Sequence, residues 1–119
     1  MRLDVSAVPC QASAEQLCLN GGRFGVTVTW KDFQGHTGQG TAAAISGDTG
    51  TFWFFNAANV ELVVKALDGR AVNGHFWIFF GALSNVEYTV TVTDSQTGAV
   101  RRYTNPSGRF ASVADTLAF

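Results

Sequence analysis

Few residues of this chain have the type and spacing that catalysis needs. A nucleophile needs a base beside it, and glycoside hydrolysis needs two carboxylates across a cleft, but neither pattern is visible in the sequence. A Gly-x-Ser-x-Gly elbow and a phosphate-binding glycine loop are also missing. Zinc would have only His36 and His75 as ligands once the cysteines are paired. We therefore expect a non-catalytic protein without a metal ion or cofactor.

Aspartates next to turns offer the hard oxygen ligands that calcium prefers. No EF-hand loop or Asp-rich repeat accompanies them. An aspartate in a turn ordinarily accepts hydrogen bonds from its own backbone, which favours a structural role over a calcium site. The aspartates concerned are Asp48, Asp68, Asp94 and Asp115.

The two cysteines, Cys10 and Cys18, are close in sequence and do not form a Cys-x-x-Cys motif. We expect a disulfide, which would stabilise the fold by about 2 to 3 kcal/mol and hold the N-terminal segment, residues 1–19, against the first strand. A disulfide indicates an oxidising compartment, so we expect a secreted or cell-surface protein. The alternative is a pair of buried thiols in a reducing compartment.

Two aromatic runs, residues 52–55 and 75–80, place large side chains on both sides of a strand. A sheet with one face in water should carry large rings on only one side. One set of rings fills the core, and the second set must be covered by another segment or remain exposed. The second set is Trp53, Phe55, His75, Trp77 and Phe79, opposite Phe52, Phe54, Phe76, Ile78 and Phe80.

The second set of rings has two interpretations. In the first, residues 32–40, the N-terminal segment or the C-terminal tail cover it, because loops often bury satellite clusters. In the second, it is an exposed surface that stacks on a sugar ring or binds a protein partner. The candidate ligand-binding residues are then Trp53, Phe55, His75, Trp77 and Phe79, with Asn56, Asn59, Arg70 and Asn73 at the rim, although each rim residue is also a common turn residue.

Apolar residues alternate with polar ones along most of the chain, and turn signals recur about every ten residues. The clearest strands are residues 24–31 and 86–93. We expect a single domain spanning residues 1–119, folded as an all-β, two-sheet antiparallel β-sandwich of the immunoglobulin-like or jelly-roll size class, with about seven to eight strands. Residues 32–40 predict an irregular loop, and residues 13–17 predict a helical turn.

Composition excludes two classes of partner. Charged residues make up only 14% of the sequence, and the net charge is −1. This small charge produces no long-range field that would attract nucleic acid or an anionic membrane. No apolar run is long enough to cross a bilayer, so we expect no membrane span.

The chain contains the short motifs LCLNGGRF at 17–24, FWFF at 52–55, NVEL at 59–62, DGR at 68–70, NGHFW at 73–77 and YTNPSG at 103–108. Together these motifs resemble an uncharacterised module that recurs in secreted, often multidomain, bacterial proteins. The resemblance covers residues 10–119. It implies a secreted bacterial origin and an accessory role, and it transfers no catalytic or ligand-binding residue.

Together with the resemblance, the residues predict a non-catalytic accessory binding module of a secreted bacterial protein, which recognises carbohydrate or a protein partner through an aromatic sheet face. Self-assembly into a structural or adhesive homo-oligomer is the first alternative, because apolar faces and uncovered strand edges pair with copies of themselves. Inhibition of a secreted hydrolase is the second alternative, through a disulfide-anchored loop at residues 12–16.

Overall fold

The computed structural model describes residues 9–119, which form ten β-strands and one helical turn. The prediction of an all-β sandwich of two antiparallel sheets is confirmed. Residues 1–8 of the predicted domain lie outside the described residues. The elements are β1 (Leu17–Leu19), β2 (Phe24–Lys31), β3 (Thr37–Gln39), β4 (Thr41–Ala44), β5 (Thr49–Trp53), β6 (Val60–Gly69), α1 (Arg70–Asn73), β7 (His75–Ala82), β8 (Glu87–Asp94), β9 (Val100–Asn105) and β10 (Ser112–Asp115).

The chain crosses between the two sheets three times. The first sheet has the order β1-β2-β8-β9, and β3 pairs with the far end of β2. The second sheet has the order β10-β7-β6-β5-β4. All of these pairs are antiparallel. Strands β6 and β7 therefore lie in the middle of the second sheet, with a neighbour on each side.

Alternation along each strand decides which side chains are buried. In β8, Tyr88, Val90 and Val92 are at most 1% exposed, and the threonines between them point outward. Strand β2 follows the same rule and pairs with β8 over its whole length. Threonine suits the outer side of a sheet because its branched side chain packs on the pleated surface while its hydroxyl meets water. The first sheet therefore has one apolar face and one polar face.

Aromatic contacts close the core at both ends. At one end, the centroid of the Phe24 ring lies 5.0 Å from those of Phe76 and Phe119. At the other end, the Tyr88 ring lies 5.6 Å from Phe54 and 6.1 Å from Phe80 in edge-on arrangements. Aromatic pairs of this kind contribute about 0.5 to 1.5 kcal/mol beyond the area that they bury.

Two local predictions are wrong, and together they explain why the strands outnumber the prediction. Residues 32–40 form a hairpin rather than an irregular loop, because Asp32 accepts hydrogen bonds from the backbone N–H groups of Gln34 and His36 and so fixes the turn before β3. Residues 13–17 form a bend that ends in β1, because Leu17 pairs with Val26 of β2. Short strands of this kind carry too little alternation to be read from sequence.

Cys10 and Cys18 form the predicted disulfide, so the alternative of two thiols is wrong. The backbone N–H of Cys10 donates to the carbonyl of Gly22 at 2.7 Å. The segment before β1 is thereby attached both to β1 and to the turn between β1 and β2. Among the described residues, no helix is long and apolar enough to cross a membrane.

A buried ion pair joins the start of β2 to the end of β8. The Arg23 guanidinium donates two hydrogen bonds to the Asp94 carboxylate, at 3.1 and 2.9 Å, and Asp94 is 1% exposed. Asp94 also accepts hydrogen bonds from Gln96 and Thr97, which shape the β8–β9 turn. The Arg23 guanidinium lies 4.4 Å from the centroid of the Phe76 ring, so the pair links both sheets.

Replacing Asp94 with asparagine tests this ion pair through its pH dependence. Burial raises the pKa of Asp94, but hydrogen bonds from Arg23, Gln96 and Thr97 outweigh it and hold the pKa below its ordinary value of 3.8. A carboxylate with a lowered folded-state pKa contributes its stability above its unfolded-state pKa and loses it as the pH falls through the folded-state pKa. Asp94→Asn should lower the free energy of unfolding at neutral pH and progressively less below about pH 4. Urea unfolding at a series of pH values measures this, and a difference that stays constant into strong acid contradicts it.

The double substitution Cys10→Ser and Cys18→Ser should lower the free energy of unfolding by about 2 to 3 kcal/mol, because the unfolded chain regains the freedom of the short closed loop. Urea unfolding of the wild type with and without reductant provides the control. Reductant should bring the wild type to the stability of the variant and leave the variant unchanged. A wild type that is insensitive to complete reduction contradicts the prediction.

Candidate functional site

The outer faces of the two sheets differ in chemistry. The first sheet presents mainly threonines of β2 and β8. The second sheet presents mostly apolar side chains, and those larger than glycine are partly exposed. We call this surface the aromatic face, and it consists of Thr49, Thr51 and Trp53 of β5, Val63, Lys65, Leu67 and Gly69 of β6, and His75, Trp77, Phe79 and Gly81 of β7.

The segments considered as covers for the aromatic face lie elsewhere within the described part of the chain. Residues 32–40 belong to the β2–β3 hairpin of the first sheet. The segment before β1 meets the edge strand β4, where Ala42 donates to the carbonyl of Ala14. The C-terminal residues run beside the start of β7, where Phe119 exchanges backbone hydrogen bonds with Phe76. The outward side chains of β6 and β7 consequently keep part of their surface in water.

Trp77 lies against the backbone of Gly69 in the neighbouring strand. A Cβ atom at Gly69 would overlap three atoms of the indole ring, including Nε1 and Cε2. The ring therefore occupies the space that a side chain at position 69 would need, an arrangement in which an aromatic residue covers a strand glycine. The indole packs on the sheet at Gly69, and the Trp77 side chain remains partly exposed.

Asn73 fixes the orientation of the Trp77 ring. Its side-chain oxygen accepts a hydrogen bond from the indole Nε1–H at 2.8 Å and another from the backbone N–H of His75 at 3.2 Å. Its amide nitrogen donates to the carbonyl of Thr116 at 2.8 Å. All three bonds lie within the chain, so Asn73 positions the ring and does not stand free at the rim.

A shallow depression of about 270 Å³ lies beside Phe79 on the aromatic face. The rings of Phe79 and Trp77 are arranged edge to face, with centroids 6.4 Å apart. The strand register places Phe79 directly opposite Lys65 on β6. The depression is lined by Thr49, Val63, Lys65, Phe79, Phe80 and Gly81.

Trp53 lies at the opposite end of the aromatic face. It pairs with Val60 at the start of β6, whereas Trp77 pairs with Leu67 near its end. At about 3.3 Å per residue, these two positions on β6 are about 23 Å apart. The two tryptophans therefore belong to separate parts of the aromatic face.

The placement of Phe55 on this face is wrong. Strand β5 ends at Trp53, after which Phe54 turns into the core and Phe55 turns outward at the end of the sandwich. The Phe55 ring is 53% exposed and packs edge-on against Trp30, with centroids 4.8 Å apart. Alternation gives the outward direction of Phe55 but not the end of the strand, and β5 stops two residues before it.

Phe55 instead belongs to a second exposed aromatic group that the sequence did not reveal. Phe33, which is 64% exposed, lies in the turn between β2 and β3. A depression of about 330 Å³ separates the two rings and is lined by Asp32, Phe33, Gln34 and Phe55. A phenylalanine among polar turn residues was the available signal, but pairing it with Phe55 required the tertiary structure.

The predicted rim residues Asn56 and Asn59 hydrogen-bond within the chain. The side-chain oxygen of Asn56 accepts from the backbone N–H of Ala58 at 2.8 Å, which is the ordinary turn role. Asn59 donates to the carboxylate of Glu61 at 3.2 Å. Both lie in the loop between β5 and β6, near Trp53 and far from Trp77.

Arg70, at the opposite end of the second sheet, also forms hydrogen bonds within the chain. Its guanidinium donates two hydrogen bonds to the Asp68 carboxylate, at 2.9 and 2.8 Å, and lies 4.5 Å from the centroid of the Phe76 ring. Hydrogen bonds from Arg70 lower the pKa of Asp68 to about 2. Arg70 is therefore an exposed cation already paired with a carboxylate.

Neither histidine joins a constellation of metal ligands. His75 lies on the aromatic face and its Nδ1 contacts the carbonyl of Phe119 at 3.2 Å, whereas exposed His36 pairs with Asp32 at 3.0 Å. Within residues 9–119, no three His, Cys, Asp or Glu side chains gather as a metal site. The four aspartates considered for calcium accept hydrogen bonds near their own turns: Asp48 from Ser46 and Thr49, Asp68 from Arg70, Asp94 from Gln96 and Thr97, and Asp115 from Leu117.

Comparisons of the chain with protein-family models, with curated proteins and with solved structures found no match. The aromatic face is therefore interpreted from its own geometry. Sequence reasoning placed Trp53, His75, Trp77 and Phe79 on it. Period-two alternation also puts Lys65 on one side of β6 with Glu61, Val63 and Leu67, but Lys65 was not among the predicted ligand-binding residues.

Gly69→Ala should displace the Trp77 ring, because the new Cβ would overlap the indole. We expect the free energy of unfolding to fall by about 1 to 3 kcal/mol and tryptophan quenching by acrylamide to increase. Gly81→Ala is the matched control on the same face, since a Cβ there meets only a Val63 methyl at the ordinary distance of 3.8 Å. Equal effects of the two substitutions would show that Trp77 does not depend on Gly69.

Proposed function

We propose that this chain is a non-catalytic binding module that recognises carbohydrate through the aromatic face. The observation that carries the proposal is the position of Trp77, whose ring lies over Gly69 and whose indole N–H is held by Asn73. The Trp77 side chain remains partly exposed and lies next to Phe79. A flat, partly exposed ring in a fixed orientation suits stacking against the apolar C–H side of a sugar ring.

The fixed orientation of Trp77 favours binding thermodynamically. A side chain that is already held in one geometry loses little conformational freedom when a ligand docks, so more of the contact energy appears as affinity. Trp77 is held on one side by the Gly69 backbone and at its nitrogen by Asn73, which is itself bonded to Thr116. The platform therefore exists before a ligand arrives.

The distribution of rings along the face favours a polysaccharide over a single sugar. Trp77 and Phe79 lie near one end of the central strands, and Trp53 lies near the other, about 23 Å away at about 3.3 Å per residue. A single sugar ring cannot contact both ends, but a chain of sugars running along β6 can. The flat, open surface of the sheet supports this mode, because it does not enclose a small ligand.

The proposal includes an accessory role in a secreted bacterial protein. The Cys10–Cys18 disulfide supports an oxidising compartment, where disulfides persist. The bacterial origin and the accessory role come from the resemblance of the motifs at residues 17–24 and 103–108, among others, to a module of secreted bacterial proteins. Polysaccharides are abundant ligands outside the cell, which is consistent with this setting.

Trp77→Ala should weaken binding to a polysaccharide by about 30-fold, because aromatic anchors of binding surfaces each contribute about 2 kcal/mol or more. The measurement is affinity electrophoresis of the purified chain through gels that contain single plant, fungal or bacterial polysaccharides, followed by calorimetry on the polysaccharide that retards it. Trp53→Ala should weaken binding to long chains and have less effect on short oligosaccharides, because it contacts a distant unit.

Phe33→Ala is the matched control, because it removes an exposed aromatic ring from the β2–β3 turn rather than from the aromatic face. It should leave polysaccharide binding unchanged. A chain that no polysaccharide retards, and whose size in light scattering rises with concentration, would contradict the proposal and favour self-assembly through the same face. Equal losses in Trp77→Ala and Phe33→Ala would also contradict it.

A further inference from the structure

Lys65 gives the aromatic face a positive character. Among the residues that define this face, the ionisable side chains are Lys65 and His75. Alternation along β6 would put Glu61 on the same side, but Glu61 is only 3% exposed and its carboxylate accepts a hydrogen bond from Asn59. Lys65 is partly buried in the middle of the sheet, with Thr49 opposite it on β5 and Phe79 opposite it on β7. Charge on this face is therefore either positive or absent, although the whole chain carries a net charge of −1.

The surroundings of Lys65 are mostly apolar. Val63 and Leu67 precede and follow it on the same side of β6, and it lines the depression of about 270 Å³ together with Phe79 and Gly81. Apolar neighbours exclude water from part of the surroundings of the ammonium group. A cation in such a place attracts an anion more strongly than a fully hydrated cation does, because the effective dielectric constant is lower.

The charge of Lys65 affects the pKa of a nearby carboxylate, that of Asp48. Hydrogen bonds from Thr49 and Ser46 lower the pKa of Asp48, and the charge of Lys65 makes a smaller contribution in the same direction. Among the ion pairs within 4 Å in the described residues, none joins Asp48 to Lys65. Asp48 accepts hydrogen bonds from the hydroxyl groups of Ser46 and Thr49, and no ion pair within residues 9–119 engages the Lys65 ammonium group.

Building on the proposed function, we infer that the ligand is an acidic polysaccharide that contains uronic acid, and that its carboxylate binds Lys65 in the depression. The register places Lys65 opposite Phe79 and one outward position along the strand from Trp77. A sugar unit stacked on Trp77 therefore brings the next unit of the chain over Phe79 and Lys65. The carboxylate of that unit then meets the ammonium group while its ring remains on the apolar surface.

A uronate fits this site better than an acidic peptide or a sulfated chain does. Trp77 offers a rigid flat ring, which matches the flat C–H side of a sugar more closely than it matches a flexible peptide side chain. The face carries one lysine, which suits one singly charged group per site. Densely sulfated chains are held instead by clusters of basic residues, because each neutralised charge adds to their affinity.

The experiment compares a polyuronate with its carboxyl-reduced form, which keeps the sugar backbone and chain length but is neutral. The purified chain should bind the polyuronate about tenfold more tightly in calorimetry, because a hydrogen bond to a charged group contributes more than one to a neutral group. Lys65→Met, which keeps the apolar stem and removes the charge, should abolish this preference and leave the weaker binding to the neutral form. Higher ionic strength should reduce the preference in the wild type.

Lys31→Met is the matched control, because Lys31 is the other lysine of the chain and lies on β2 of the first sheet, paired with Glu87 of β8. It should keep the full preference for the polyuronate. An equal loss in Lys31→Met and Lys65→Met would show a nonspecific charge effect and overturn the inference. Equal binding of poly-glutamate would overturn the assignment to a sugar.

The results separate this inference from the proposed function. If the wild type binds the neutral and acidic chains equally and Trp77→Ala weakens both, the uronate inference is wrong and carbohydrate recognition by the aromatic face stands. If neither polymer binds, and no other polysaccharide does, the proposed function is wrong and the inference falls with it. Thermal unfolding of each variant verifies that the compared proteins are equally folded.

Discussion

A two-layer sandwich can bury only one face of each sheet, and the central strands of the second sheet are apolar on both faces. Leu62, Val64, Phe76, Ile78 and Phe80 fill the core from one side of β6 and β7. The opposite side of the same strands carries further apolar side chains that the core cannot hold. The two sheets therefore differ on their outer faces. The first sheet carries mainly threonines there, whereas β6 and β7 of the second sheet carry mostly apolar side chains that stay partly exposed.

Local packing covers part of the apolar surface on the outer side of β6 and β7. Trp77 covers the backbone of Gly69, and its indole N–H donates a hydrogen bond to the side-chain oxygen of Asn73. The ring is therefore held in one orientation, and its N–H has a partner. The rings of Phe79 and Trp77 pack edge to face, and Lys65 lies between Thr49 of β5 and Phe79 of β7. These contacts reduce the exposed area without hiding it, and they hold the Trp77 ring in one orientation.

Rigidity at the aromatic face depends on how firmly the two sheets hold each other. The Arg23–Asp94 ion pair and the Phe24, Phe76 and Phe119 rings close the core near the start of β7, which is the end that carries Trp77. The disulfide attaches the segment before β1 at the same end through the β1–β2 turn. Trp77 therefore lies at the end of the fold where the ion pair, these three rings and the disulfide are found.

Period-two alternation by itself determined the all-β class, the long strands and the outward position of Trp77, because side-chain direction in a strand is a local property. The short spacing of the two cysteines likewise indicated their disulfide. Tertiary structure alone decided the rest, because it depends on which strands become neighbours. Trp77 packs on Gly69 only because β6 pairs with β7. Asn73 accepts the indole hydrogen bond only because α1 connects these two strands in a tight turn. Phe55 left the aromatic face because β5 ends at Trp53 and the chain then turns away from the second sheet, which brings Phe55 against Trp30 of the first sheet.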